Sequence, residues 1–204
     1  MSDHDVSSDA SKDDTLQRAQ DLIANKRKVI GPRYDIYRME VVELLRRNFP
    51  QTFQEMNDDN LKNFIGVVDI SGGPSRGQMK RLQEHCNGCG WCCSKTSRIV
   101  VVQEDVDRIS RELKQKKENL FSNNGKEWTI KQGHPCQWWN PGSGRCSIYK
   151  VRPLTCRTWP QTKDSKGIYG LHSMPECRYS VVVMAYRVVE AVKAVSAGNN
   201  ISVD

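Results

Sequence analysis

The sequence of 204 residues lacks several features that would assign it to a common class. It has no run of about 18 apolar residues, so we expect no helix that crosses a membrane. Its first residues, MSDHDVSSDASKDD, hold neither a basic nor an apolar segment, and we expect no secretory or mitochondrial signal. Hydrophobic residues make up only 37% of the chain, slightly fewer than is usual. These absences predict a cytoplasmic protein with a modest core that needs support beyond apolar burial.

Apolar periodicity and loop signals divide the chain into four parts. Residues 1–14 are polar and acidic and are expected to form a disordered tail. Residues 15–74 show apolar residues at helical spacing, which predicts a helical N-terminal extension that ends at the Ser-Gly-Gly-Pro break. Residues 75–196 are predicted to form a loop-rich cysteine domain, and residues 197–204 a flexible C-terminus.

Within the cysteine domain the pattern predicts few regular elements. We expect a short basic helix over residues 75–84, a buried strand over residues 99–102, a helix over residues 103–119 and a last helix over residues 179–195. The predicted fold class is therefore α+β, mostly helical with few short strands.

Cysteine is confined to one part of the chain, which is the strongest signal in the sequence. In a reducing compartment, clustered thiols indicate metal ligands before disulfides. Three of the thiols are spaced as C-x2-C-x2-C, and a fourth follows directly. The eight candidate ligands are Cys86, Cys89, Cys92, Cys93, Cys136, Cys146, Cys156 and Cys177.

The spacing leaves two kinds of metal site open. The triple spacing matches the first three ligands of a bacterial ferredoxin-type loop and so predicts an iron–sulfur cluster, such as [4Fe–4S]. The spacing also permits zinc, in which two of these cysteines and two distant ones would complete a tetrahedron. Cys93 follows Cys92 directly, and because adjacent side chains usually diverge we expect it to face a different site or to lie outside the ligand shell. Eight thiols allow one site or two.

Charged, aromatic and histidine residues accompany the cysteines. Arg152 and Arg157 flank Cys156 and are expected to offset thiolate charge. All five tryptophans fall between residues 91 and 159, where they can exclude water from a metal or build the core. His85 and His134 neighbour cysteines but are expected to lie outside the ligand shell. No arrangement of Ser, His and Asp or of paired carboxylates can be singled out, so catalytic residues stay unassigned.

These motifs resemble the YkgJ-type CxxCxxCC family, which is described as a zinc- or iron-chelating domain. The resemblance covers roughly residues 80–180 and rests on the CxxCxxCC segment, on Gln103-Glu-Asp opening a helix, and on C-x-I-Y-x-x-R-P-x-x-C-R-x-x-P from Cys146 to Pro160. It implies eight metal-binding cysteines and no settled reaction. A larger relative, the flagellin lysine N-methylase, has a similar cysteine domain, but no glycine-rich S-adenosylmethionine loop is found here.

Three functions follow as hypotheses. The first is an iron–sulfur protein that supports electron transfer or the redox function of a partner. The second is a zinc-stabilised protein-interaction module, and the third a protein-modifying, methylase-like enzyme. The favoured partner is another protein that docks through the N-terminal helices. A net charge of +7 would suit nucleic acid, but nucleic acid is the less favoured partner because the basic residues can instead neutralise thiolates within the fold. No membrane partner is expected.

Overall fold

The computed structural model describes residues 7–71, 88–163 and 169–198. The described helices are α1 (Ser7–Ile30), α2 (Arg33–Asn48), α3 (Pro50–Phe53), α4 (Asp58–Ile70), α5 (Trp91–Lys95), α6 (Gln103–Glu112), α7 (Lys117–Leu120), α8 (Leu154–Thr158) and α9 (Arg178–Ser196), with a 3₁₀ turn at Tyr149–Val151. The described strands are β1 (Val100–Val101), β2 (Phe121–Asn123), β3 (Trp128–Ile130), β4 (Gln161–Lys163) and β5 (Tyr169–Leu171). The predicted fold class, mostly helical α+β, is confirmed.

Several predictions lie outside the described residues. They are the first six residues of the acidic tail, the basic helix over residues 75–84, His85 and Cys86, and the last six residues of the chain. In the part of the chain that the structure describes, no helix is long and apolar enough to cross a membrane.

The chain divides into two compact units. The first contains Met1–Gln78, Gln161–Pro175 and Tyr179–Asp204, and the second contains Met79–Pro160 and Glu176–Arg178. All eight cysteines fall within the bounds of the second unit.

The first unit is built on helices that pack through buried aromatic and aliphatic side chains. Tyr34, Tyr37 and Leu45 of α2 are fully buried, as are Leu61 and Ile65 of α4. The side chain of Asn57 accepts hydrogen bonds from the first N–H groups of α4 and so caps this helix. The strands β4 and β5 pair antiparallel.

Helix α9 from Tyr179 onward belongs to the first unit, although the sequence placed it in the cysteine domain. The reason is its buried face, which carries Val181, Val183 and Met184. The hydroxyl of Tyr37 donates to the carbonyl of Ser180 at 3.2 Å, a contact between residues 143 positions apart. Periodicity predicts that a helix has a buried face, but it does not say which other helices cover that face.

Two predicted helix boundaries differ in the structure. Helix α1 begins at Ser7 rather than at Thr15, because the polar residues before Thr15 give no apolar signal by which a helix is predicted. The predicted helix over residues 103–119 is two helices, α6 and α7. Lys114 adopts a left-handed φ of 51° just after α6, which breaks the helical path.

The second unit centres on a small sheet and a core that includes cysteines. The sheet is antiparallel in the order β1-β3-β2, with Val100 opposite Thr129 and Ser122 opposite the same residue. Helix α6 contributes its buried Val106 and Ile109 to the hydrophobic core of this unit. The other buried members of this core cluster are Ile99, Val101, Leu120, Phe121, Ile130, Cys136, Trp138 and Ile148.

Candidate metal centre

The segment that carries Cys89, Cys92 and Cys93 is shaped by two glycines. Gly88 and Gly90 have φ angles of 66° and 75°, in the left-handed region that glycine tolerates best. A Cβ on Gly90 would lie 2.5 Å from Nε1 of Trp139 and 2.6 Å from the carbonyl oxygen of Gly144. The cysteine loop therefore lies directly against the turn over residues 139–144, and only glycine allows this approach.

A backbone hydrogen bond joins the first cysteine segment to the second. The N–H of Cys136 donates to the carbonyl of Cys93 at 2.8 Å. Close by, a Cβ on Gly133 would lie 2.7 Å from the carbonyl oxygen of Ser97, so the two stretches of chain run in direct contact. This contact places Cys93, at the end of the CxxCxxCC motif, beside a cysteine more than 40 residues away.

A tight turn brings Cys136 near Cys146. Trp139 and Cys146 form an isolated antiparallel bridge, and the N–H of Ser147 donates to the carbonyl of Trp138 at 2.8 Å. Cys136 is buried and Cys146 is half-buried, and both contact the core cluster. The loop between these two cysteines therefore places both of them at the same core cluster.

Cys156 lies on α8, and two long-range hydrogen bonds hold this short helix. The carboxylate of Asp105 accepts from the N–H of Leu154 at 2.7 Å, and the hydroxyl of Thr155 donates to the carbonyl of Val100 at 2.7 Å. Asp105 is buried, and it also pairs with the guanidinium groups of Arg108 and Arg157. The helix that carries Cys156 is thus tied to α6 and to β1.

Sequence reasoning missed Asp105 as a functional candidate. Its one signal was its place in the Gln103-Glu-Asp opening of α6, where an acidic residue is common for reasons of helix polarity alone. Its partners Leu154 and Arg157 lie about 50 residues further along the chain, so no local sequence pattern could reveal these contacts.

The thiols of Cys92, Cys136, Cys146 and Cys156 interact electrostatically with one another. Burial, and then repulsion from the other three sulfurs, raises the pKa of Cys156 to about 12. Burial also raises the pKa of Cys136 and of Cys146 above their ordinary values, with further contributions from neighbouring thiols. A hydrogen bond with Cys93, followed by burial, raises the pKa of Cys92. Four sulfurs from separate stretches of chain are therefore close enough to oppose one another's ionisation.

Arg152 supplies positive charge beside these thiols. Its guanidinium is buried and lies 3.8 Å from the centre of the Tyr149 ring, and it donates to the carbonyl of Tyr149 at 3.4 Å. Its charge lowers the pKa of Cys146 and of Cys156, against the stronger effects that raise them. Arg157 instead lies 3.6 Å from the carboxylate of Asp105.

The tryptophans occupy different places. Trp138 is buried and packs edge-on against Phe121, with ring centres 5.8 Å apart, and Trp139 covers Gly90. Trp128 instead donates from Nε1 to the side chain of Gln103 at 2.8 Å, on the sheet. Trp138 and Trp139 therefore line the cysteine region, whereas Trp128 lies on the sheet.

The predicted ligands fall into distinct groups. Cys93, Cys136, Cys146 and Cys156 belong to or contact one core cluster, and Cys92 is coupled electrostatically to all four. Cys89 is exposed and Cys177 is buried, while Cys86 lies outside the described residues. None of the seven described cysteines forms a disulfide. His134, next to the cis proline at 135, is exposed.

The donor set fits a zinc or iron–sulfur group by its chemistry. Soft thiolates select zinc and iron–sulfur clusters, and the sulfurs converge beside a compensating guanidinium. Among the described residues, no group of three or more His, Cys, Asp or Glu side chains is placed so that it could hold a metal ion.

Residues 85–177, slightly less than half of the chain, match the model of the CxxCxxCC family, described as "Putative zinc- or iron-chelating domain". This part of the chain is therefore similar to a class of cysteine-rich, metal-chelating domains. The resemblance predicted from the motifs is confirmed.

One relative and one absence complete the comparison. The chain is 33% identical over 82 residues to an uncharacterized protein of Methanocaldococcus jannaschii, MJ0661. The match covers 37% of this chain and 43% of that protein, so it spans less than half of either. No solved structure matches the chain.

Proposed function

We propose that the second unit binds iron as an iron–sulfur cluster, most simply [4Fe–4S], and supports electron transfer or the redox function of a partner protein. The observation that carries the proposal is the gathering of Cys136, Cys146 and Cys156 at one core cluster, with Cys92 close enough to raise the pKa of all three. Cys86, Cys89, Cys93 and Cys177 are the further candidate ligands. We place this function in a reducing compartment, the cytoplasm, where thiols stay available to metal.

The raised thiol pKa values support a metal occupant. A group of buried neutral thiols adds little to the stability of the fold, and its members make one another harder to ionise. A metal cation that replaces their protons is attracted to every thiolate at once, so the close grouping of the sulfurs then stabilises the bound state. The family description of a zinc- or iron-chelating domain agrees with this reasoning.

Iron–sulfur chemistry is favoured by the surroundings of the sulfurs. A cluster of this kind accepts and donates single electrons. Trp138 and Trp139 lie where they would exclude water, and the buried guanidinium of Arg152 would offset the negative charge of a thiolate-bound cluster. The CxxCxxC spacing, which ends on α5, agrees with three ligands of such a cluster.

Zinc is the second candidate, and one observation favours it. The strands of the second unit are two or three residues long and two of its helices, α5 and α8, have five residues. Such elements are weak by themselves. Structural zinc can supply on the order of 10–16 kcal/mol of folding free energy, which would make this unit an interaction module held by metal. No residue is proposed as catalytic, and a methylase-like activity gains no support from the described residues.

The proposed partner is a protein that docks through the N-terminal helices. Val29 on α1 and Ile36 on α2 are 85% and 53% exposed, which gives this part of the first unit apolar side chains that a partner could cover. Nucleic acid stays the less favoured partner.

The test is metal and acid-labile sulfide analysis of protein purified without oxygen. An iron–sulfur protein would contain both, with visible absorbance that dithionite bleaches. A colourless protein with stoichiometric zinc would replace the first proposal by the second, and a protein with neither metal would contradict both.

A matched pair of variants links the metal to the cysteines. Cys136→Ser should lose most of the metal, because its thiol lies in the coupled group. His134→Gln, two residues away and exposed, should keep it. Equal metal content in the two variants would contradict the ligand assignment.

A further inference from the structure

Asp105 is almost completely buried on the first turn of α6, beside the segment that carries Cys156. Resting on the proposed function, we infer that Asp105 is the positioning residue of the thiolate site: it fixes α8 so that the Cys156 sulfur faces the other thiols. It would not touch the metal, because its carboxylate is already bonded to Leu154, Arg108 and Arg157.

Helix α8 needs a hydrogen-bond partner from another element to keep its position. A helix of five residues is too short to be stable by itself, and its first N–H groups have no partner within the helix. The residue before it is Pro153, whose side chain offers no oxygen as a cap. The Oδ2 atom of Asp105 takes this place by accepting from the N–H of Leu154.

Asp105 also organises a wider clamp. It pairs with Arg108, one turn along α6, and Arg108 donates to the carbonyls of Val151 at 2.8 Å and Arg152 at 3.3 Å. The segment over residues 151–157 is therefore held near both ends. This segment contains the Cys156 thiol and the buried Arg152 charge, the two groups that must keep their places relative to Cys146.

Loss of the Asp105 contacts with Leu154, Arg108 and Arg157 should make α8 more mobile without unfolding the second unit. The hydroxyl of Thr155 still donates to the carbonyl of Val100, and the core cluster around α6 does not include Asp105. A variant at Asp105 should therefore have a local effect on Cys156, unlike a substitution that weakens the whole core.

The test compares the alkylation rates of individual thiols in full-length protein purified without oxygen, mapped by peptide mass spectrometry. Asp105→Ala should raise the alkylation rate of Cys156 about tenfold relative to that of Cys146. We take this factor from the lower end of the loss in metal affinity that substitution of an outer-shell residue causes. Val106→Ala, a buried neighbour on the same helix, should raise both rates together. If Asp105→Ala unfolds the protein, Asp105→Asn, which keeps an acceptor for Leu154 but loses the ion pairs with Arg108 and Arg157, should shift the ratio in the same direction by a smaller amount.

An unchanged ratio of Cys156 to Cys146 alkylation in a folded Asp105 variant, or the same ratio change in Val106→Ala, would overturn the inference. The ratio of the two rates can be measured in protein with or without bound metal. If the wild-type protein proves to hold no metal, the proposed function fails, while the alkylation ratio still decides whether Asp105 positions Cys156.

Discussion

The backbone N–H of Cys136 donates a hydrogen bond to the carbonyl of Cys93 at 2.8 Å, and this contact joins the CxxCxxCC motif to the later cysteines. A thiol cluster drawn from distant segments needs backbone contacts of this kind, because side chains alone do not fix where each sulfur lies. Asp105 fixes α8 in a comparable way, and Gly90 allows the cysteine loop to approach Trp139.

Gly90→Ala should destabilise the protein more than Gly125→Ala does. Both glycines have left-handed φ angles, so each substitution costs roughly 1–2 kcal/mol of backbone strain. Only Gly90 also faces Trp139 and Gly144 at overlapping distance, since nothing lies within 4 Å of a Cβ at Gly125. This overlap should add roughly 1–3 kcal/mol. Denaturant unfolding measures the difference, and equal losses would contradict the close approach.

Arg152→Gln should make the reduction potential of a bound cluster more negative. The positive charge of Arg152 stabilises the reduced cluster, which carries one more negative charge, and the substitution removes that stabilisation. A loss of about 1.4 kcal/mol of interaction corresponds to roughly 59 mV for a one-electron couple. Arg111→Gln, exposed on α6, is the control and should leave the potential unchanged. A redox titration monitored by absorbance gives both values. A positive shift in Arg152→Gln would be opposite to the predicted sign.

Asp69→Ala should strongly destabilise the first unit. The buried carboxylate of Asp69 lies 2.6 Å from Nζ of Lys26 and accepts hydrogen bonds from the hydroxyls of Tyr34 and Ser173 at 2.8 and 2.9 Å. The side chain of Lys26 is 24% exposed and can reach water, so the larger loss comes from the two buried hydroxyls, each of which costs about 1–3 kcal/mol when it has no acceptor.

Asp59→Ala provides the contrast for Asp69. Asp59 pairs with Lys62 on the same helix, but its side chain is 82% exposed, and such pairs contribute about 1 kcal/mol or less. Chemical unfolding of the two variants, compared with the parent protein, measures both effects. Similar losses of stability would show that the polar group around Asp69 does not hold the first unit together.

The sequence predicted the elements whose signals are local. Helical spacing located α2, α4 and α9, and the CxxCxxCC motif located the domain that the family model matches. Local patterns did not show which elements pack together in each unit. Helix α9 joins the first unit because distant helices cover its apolar face, and the predicted single helix after Val102 is interrupted at Lys114.

The candidate site shows the same division. Clustered cysteines and the flanking Arg152 were visible in the sequence as chemistry. Asp105 could not be identified from the sequence, because its role depends on the N–H of Leu154 and the guanidinium of Arg157, about 50 residues away, which only folding brings near. The choice between iron and zinc depends on the positions of all the sulfurs, which spacing alone does not give.

X-ray absorption spectroscopy at the metal edge, on full-length protein purified without oxygen, tests the central claim most directly. The account predicts a metal coordinated by sulfur alone, with Cys136→Ser losing the metal or showing an altered shell. A shell dominated by nitrogen or oxygen, or one unchanged in Cys136→Ser, would contradict the claim that these thiols converge to bind a metal.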